Sequence, residues 1–377
     1  MASPEYCLFA RVPRLDARKF TGLAERVHSP LALLHMDATD LGALGLAAPA
    51  IHALLHHDRA QQAADLAALQ RHDIQLIAAH EPAYPQSLRE LPGAPPVLFV
   101  RGRSEALGAP QLAMVGSRHP TANGARTARD FAFHFAHQGL AITSGLAVGI
   151  DAASHGGALA ADGVTLAICA TGLDRVYPEE HSALAQRILV RGALLSEFPP
   201  GTAPIPRNFV QRNRLISGLS LGVLVIEAAA RSGSLTTARH AGEQGRDVFA
   251  VPGSIHSPQS RGCHQLLRQG AILVESADDV LQELKNSHLN QCVKSHPLVP
   301  SPPYEDGGML DNPAEILLDA LGFEPTGLDA LIASTGLSSS SVASLLLHLE
   351  TEGRVASDSA GRYFRLSHQL QFNDPND

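Results

Sequence analysis

QLAMVGSRHPTANGARTARDFAFHFAHQGLAITSGLAVGIDAASHGGAL, residues 111–159, holds two short apolar runs, QLAMVGS (111–117) and LAITS (140–144). Each run leads into a glycine-rich turn and then a helical pattern. The runs are nearly continuous in apolar residues rather than alternating, which predicts strands buried on both faces of a parallel sheet. The pattern continues downstream. Strands are predicted at TLAICAT (165–171), ALLSEF (193–198), LGVLVIEA (221–228), DVFAVPG (247–253) and AILVES (271–276). Helices fall between them, near 123–138, 149–161, 179–190, 207–217, 234–245 and 261–269. QLIAAH (75–80) and VLFVRG (97–102) add two strands upstream, around a proline-rich connection. The expected class is α/β, with a mostly parallel sheet in a core spanning 73–285. Ligands of such sheets bind outside the carboxyl ends of the strands.

The flanks differ from this core. Residues 1–72 read as short helices, among them DARKFTGLAERV, SPLALLHM, LAAPAIHALLHH and DRAQQAADLAALQRH, with Asp58 placed to cap the last. The region has the look of a SAM-like or helix-hairpin-helix-like domain. It carries no Lys or Arg between Arg26 and Arg59, which favours a small packing bundle over a DNA element. Residues 286–308, NSHLNQCVKSHPLVPSPPYEDGG, contain four prolines and read as a linker. Residues 309–377 pattern as three helices and a hairpin, a winged-helix-like domain. Its would-be recognition helix has no Lys or Arg before Arg354, so packing or protein contact is favoured over groove reading.

A chain of 377 residues accommodates two or three such units, and 45% hydrophobic against 18% charged residues describes a globular protein. No run of eighteen apolar residues occurs, so no membrane span is expected. The N-terminal sequence lacks the pattern of a secretory leader. The four cysteines are scattered without a CxxC pair, which fits a reducing cytoplasm. The net charge of −8 excludes a basic footprint over the whole chain. From Pro110 to Lys285, however, 15 Lys and Arg meet 14 Asp and Glu, so the acidity lies in the flanks. Fourteen of those basic residues are Arg, the better two-pronged phosphate ligand, although the chain has only three Lys in all. Aromatic residues make up 5% with no Trp, leaving few rings for base stacking.

Five turns at predicted strand ends carry the candidate chemistry: VGSRHPTANG, TSGLAVGIDAASHGGAL, ATGLDRVYPEEH, SEFPPGTAPIPRNFVQRNRLISG and EAAARSGSLTTARHAGEQGRDVFAVPG. Glycine lets the backbone approach an anion, helix N-terminal amides and serine donate to it, and Arg grips it. Together they form a phosphate-friendly rim. Enzyme readings fare less well on spacing. No two glycines stand two apart, so GxGxxG is absent, and GxxxxGK[ST] is absent too. GLSLG (218–222) matches the GxSxG pattern but precedes a strand, whereas a nucleophile elbow follows one. Asp151 and His155 share a helix face without a second metal-binding pair, so no metal site is expected. Asp174, Glu197 and Glu227 stand near strand ends as acid/base candidates or as holders of arginines and loop amides.

TSGLAVGIDAASHGGAL, ATGLDRVYPEEH, LLSEFPPGT, RNRLISGLS and RSGSLTTARHAGEQGRDVFAVPG, in this order over roughly residues 75–285, closely resemble the DNA-processing protein A (DprA, or Smf) family. The resemblance implies an extended Rossmann core, with the flanks matching the helical and winged-helix domains of longer members. It implies a non-enzymatic recombination mediator that binds and protects single-stranded DNA and helps load RecA recombinase during natural transformation. It also implies a homodimer formed through the core, and no cofactor. The DNA-binding positions it carries over are Gly116, Ser117 and Arg118; Ser144 and Gly145; Arg212, Asn213 and Arg214; and Arg231, Ser232, Gly233 and Ser234. Of Arg212 and Arg214, one is expected in the groove and the other in a structural ion pair. Arg118 has the alternative of pairing with Glu227, and Tyr177 of stacking a base or anchoring its loop. Val148 and Val210 depart from the family, which commonly has a basic or bulky polar residue and a proline there. The competing reading is a Rossmann-type nucleotide hydrolase or phosphoribohydrolase using the same rim.

Overall fold

The computed structural model describes residues 3–27, 29–287, 313–321, 326–358 and 361–366. Nearly all of the expected linker, 286–308, lies outside the described residues. The chain opens with a 3-10 turn, Pro4–Arg11, and helices α1 (Ala17–Arg26), α2 (Ala38–Ala43), α3 (Ala48–Leu55) and α4 (Arg59–Arg71). Local chemistry sets these boundaries. Asp16, Asp37 and Asp58 each accept backbone N–H bonds at a helix start, where the first amides have no partner within the helix.

The core strands are β1 (Ile74–Ala78), β2 (Val97–Gly102), β3 (Gln111–Val115), β4 (Ala141–Ser144), β5 (Thr165–Ile168), β6 (Ala193–Ser196), β7 (Gly222–Val225), β8 (Asp247–Ala250) and β9 (Ile272–Leu273). A short helix, α5 (Gln86–Arg89), joins the first two. The rest are crossed by α6 (Ala122–His137), α7 (Ile150–Ala160), α8 (Ser182–Arg191), α9 (Pro206–Leu219), α10 (Ser234–Glu243) and α11 (Arg261–Arg268), with α12 (Ala277–Ser287) after β9. The nine strands form one sheet in the order β1-β2-β6-β5-β4-β3-β7-β8-β9. β2 runs antiparallel to both β1 and β6; every other pairing is parallel. The α/β class read from the sequence is therefore what the chain forms.

Both faces are covered, as the unbroken apolar runs require. One layer packs Leu112, Met114, Ile142, Leu224 and Phe249 with Phe135 of α6 and Val280 of α12. The other joins Phe99, Leu166, Leu194 and Val225 to Leu215 of α9. Phe9, Phe20 and Leu54 belong to this second cluster, so the N-terminal helices share a core with the sheet. Each fully buried Phe or Leu there contributes about 1.5–3 kcal/mol of transfer free energy.

Helices α13 (Pro313–Leu321), α14 (Leu328–Thr335) and α15 (Ser339–Thr351) and a hairpin of β10 (Val355–Ser357) and β11 (Tyr363–Arg365) complete the described chain. They enclose their own apolar cluster around Leu317, Leu331, Val342 and Leu346. Among the described residues, no single helix is long and apolar enough to cross a membrane.

Strand order fixes where a ligand goes. From β3 the chain moves to β4 on one side, and later returns to place β7 on the other. The carboxyl ends of β3, β4 and β7 thus open a crevice at the point where strand order reverses.

Candidate nucleic-acid interface

A groove of about 690 Å³ fills this crevice. Gly116, Ser117 and Arg118 line it as they leave β3, Arg212 and Asn213 come from α9, and Arg231, Ser232, Gly233 and Ser234 form the turn that opens α10. Nine of the twelve expected positions are brought together in this way. Two glycines make the approach possible. A Cβ on Gly116 would stand 2.7 Å from Ile150 and 2.8 Å from the Glu227 carbonyl oxygen. Gly149, at φ +83°, precedes α7, and a Cβ there would lie 2.4 Å from the Ser117 carbonyl oxygen.

Arg118 and Arg231 are exposed, and neither has an ion-pair partner among the described residues. The Arg118 guanidinium sits over the Phe209 ring, 5.8 Å from its centroid, a cation–π arrangement. Tyr177, 48% exposed, meets the same ring edge-on at 5.6 Å. Both rings line the groove. Glu227, the alternative partner for Arg118, is occupied elsewhere: the Thr121 N–H and hydroxyl donate to its two oxygens at 2.9 and 2.7 Å, fixing the start of α6. Burial raises the Glu227 pKa, opposed by these bonds. On the fifth turn, Asn213 Nδ2 donates to the Gly233 carbonyl oxygen at 3.3 Å, tying α9 to the turn.

Ser144, Gly145 and Arg214 lie outside the groove lining. Ser144 is fully buried and its hydroxyl donates to the Met114 carbonyl oxygen at 2.6 Å. The Gly145 N–H donates to Asp151 at 3.1 Å, as does that of Ala147 at 3.3 Å. The amides that read as a phosphate cradle thus already hold the chain's own carboxylate. Leu146 between them adopts φ +62°, a left-handed conformation costly for a branched residue. Arg214 pairs with buried Glu197, which also accepts from Gln211 at 3.1 Å. Burial raises the Glu197 pKa and the Arg214 guanidinium opposes that rise.

Arg212 reaches the groove wall but is only 4% exposed. Its Nη1 donates to the Gly145 carbonyl oxygen at 2.6 Å and to that of Ile168. Its charge faces Asp151, whose pKa is raised by burial and pulled back by Arg212. Of the two RNR arginines, Arg212 thus lines the groove while holding the Gly145 and Ile168 carbonyls, and Arg214 lies outside it in its ion pair with Glu197. The residues that sequence reading missed are Phe209 and His119 in the lining. The spacing of Phe209, three residues before Arg212 on the same helix face, was the available signal.

The enzyme candidates are committed to structure. Ser220 is 1% exposed and donates to the Ile216 carbonyl oxygen at 2.9 Å, just before β7. Asp174 accepts from Gly201 N–H at 2.9 Å. Among the described residues, no group of three or more His, Cys, Asp or Glu is placed to hold a metal.

His155 is fully buried, and burial, aided by His181 and Arg212, lowers its pKa to about 3. The Thr165 hydroxyl donates to the Ile142 carbonyl oxygen at 2.7 Å, so it accepts from His155 Nδ1 at 2.7 Å and the ring is neutral. With the folded pKa below the unfolded one, stability is full above the unfolded pKa near 6.5 and falls as pH drops toward 3. This single group is expected to remove about 2 kcal/mol at about pH 5. His155→Asn should flatten that part of the pH–stability curve; thermal melts of both proteins across pH 5–7.5 check it.

A family model described as DNA recombination-mediator protein A matches residues 75–285, and a DprA winged helix domain model matches residues 300–361. Protein Smf of Escherichia coli is 41% identical over 334 residues, covering 88% of each chain. DNA processing protein DprA of Streptococcus pneumoniae is 46% identical over 202 residues, 54% of this chain and 71% of that protein. The X-ray structure of the pneumococcal protein superposes with a TM-score of 0.65 at 36% identity, covering 75% of this chain and 98% of that one. A Helicobacter pylori DNA processing protein A, whose structure describes a single-stranded-DNA binding mode, gives a TM-score of 0.52 at 28% identity over 56% of this chain and 96% of that one. With matches of this extent, the chain is a member of the DNA recombination-mediator protein A (DprA/Smf) family.

Proposed function

We propose that this protein is a non-enzymatic recombination mediator that binds single-stranded DNA in the β3–β7 groove, protects it, and helps load RecA recombinase during natural transformation. The observation that carries the reading is the pair of exposed arginines, Arg118 and Arg231, without an ion-pair partner among the described residues, lining from two different turns a groove that also presents Phe209 and Tyr177. Two cations spaced along a groove track a phosphate backbone, and rings beside them accept unstacked bases of any sequence. Ser117, Asn213 and the Ser232–Ser234 turn at the start of α10 add donors for phosphate oxygens. Among the described residues of the winged-helix-like unit, Arg354, Arg362 and Arg365 each pair with a nearby carboxylate, unlike Arg118 and Arg231. Single-stranded oligonucleotides are therefore expected to bind in clear preference to duplexes of the same length, with little sequence dependence. Titrations of both forms, run beside a nucleotide-hydrolysis assay, test this. Equal or tighter duplex binding, or turnover of nucleotides, would overturn it.

Assembly extends the same reading. A homodimer through the core is supported by Leu273, 51% exposed on the two-residue edge strand β9, next to a second groove lined by Leu266 and Ile272. Leu273→Glu is expected to shift the protein from dimer to monomer in sedimentation at micromolar concentration. A wild-type protein that is strictly monomeric there would sink the assembly.

A further inference from the structure

The N-terminal helices reach the groove's supporting loop through Arg11, at the end of the first 3-10 turn. Its Nε and Nη2 donate to the two carboxylate oxygens of Asp65 on α4, each at 2.8 Å, and Nη2 also donates to the Pro200 carbonyl oxygen at 3.4 Å. Asp65 is 2% exposed and accepts a further bond from Gln61 at 2.9 Å. A buried carboxylate held by three donors fixes the plane of the guanidinium, so its contact with Pro200 is directed rather than incidental. On its other side the same turn is held by Asp174, through the Gly201 N–H, and by Gly172, whose N–H donates to the Thr202 carbonyl oxygen at 3.2 Å.

The groove wall begins directly after this turn. Pro204 and Pro206 line the groove, and Pro206 is the first residue of α9. Phe209 comes three residues later, carrying the Arg118 guanidinium on its face. We propose that Arg11 is a positioning residue: clamped by Asp65, it sets where α9 begins and so holds Phe209 and Arg118 in the geometry that grips a single strand. This gives the N-terminal bundle a part in DNA affinity without any contact to DNA, and it rests on reading the groove as the single-strand site.

The test is a set of binding titrations with a single-stranded oligonucleotide on the full chain, well below the melting temperature, with circular dichroism confirming folding. Arg11→Ala is expected to weaken binding about 3- to 10-fold, the worth of one directed hydrogen bond. The salt dependence should stay that of the wild type, because no phosphate contact is lost. Asp65→Asn should act in the same direction. Arg11→Lys, which keeps the charge but cannot make the two-pronged grip, should fall between. A double-mutant cycle separates positioning from general weakening. The cost of Arg11→Ala should shrink in a Phe209→Ala background and persist in an Arg231→Ala background. Wild-type affinity for folded Arg11→Ala, or an equal cost in both backgrounds, would overturn the proposal. If Phe209→Ala and Arg231→Ala themselves leave affinity intact, the groove reading falls, and this proposal with it.

Discussion

Arg212→Met is expected to destabilise the fold by about 3–5 kcal/mol, lowering the melting temperature by roughly 6–10 °C. Arg212 is 4% exposed, and its guanidinium serves three elements at once: the Gly145 carbonyl after β4, the Ile168 carbonyl of β5, and the charge of Asp151 on α7. Methionine fills much of the same space but leaves Asp151 as a buried carboxylate without its cation. Two buried carbonyl oxygens lose a donor as well. Adding Asp151→Asn removes the stranded charge, so the double variant should regain part of the loss. Thermal melts of the three proteins decide the matter. A single variant within about 1 kcal/mol of wild type, below any buried-pair loss, would show that Arg212 is free to serve the ligand.

The double variant Arg118→Ala/Arg231→Ala should weaken single-strand binding by about 3–6 kcal/mol, roughly two to more than four orders of magnitude, while keeping the wild-type melting temperature. The two side chains stand on different turns and share no partner, so their effects should add. Two phosphate contacts per subunit imply a slope of log K against log salt of about −1.4, and the double variant should approach zero slope. Arg239→Ala, at a helix position paired with Glu243 and outside the groove, is expected to change little. Full affinity in the folded double variant would place the groove elsewhere.

The sheet was legible because nearly unbroken apolar runs such as QLAMV and TLAI have one good use, as strands covered on both faces. One helix start was legible where Asp58 stands as a cap before the helical run in DRAQQAADLAALQRH. The turns that line the groove were legible, since Gly-Ser-Arg after a strand and Arg-Ser-Gly-Ser before a helix are local patterns at strand ends. What the sequence could not reveal was the direction of side chains in the second layer. Arg212 and Arg214 stand two apart on one helix and look equivalent in RNR. Only the packed structure distinguishes a guanidinium spent on strand carbonyls from one spent on Glu197. Ser144 and Gly145 misled for a related reason. A glycine-serine turn signals an anion site, and the anion proved to be Asp151, six residues further along the chain.

That internal carboxylate has a kinetic consequence. With Asp151 and Arg212 already held by neighbouring groups, a strand bound as proposed would meet a groove that is formed in advance. The ordering entropy of such binding would then fall on the flexible nucleic acid rather than on the protein. On the proposed reading, association is expected to need no opening step and to follow the long-range attraction between the two exposed arginines and the phosphates. Differences in affinity between strands of unlike length should accordingly appear in how long they stay, not in how fast they arrive.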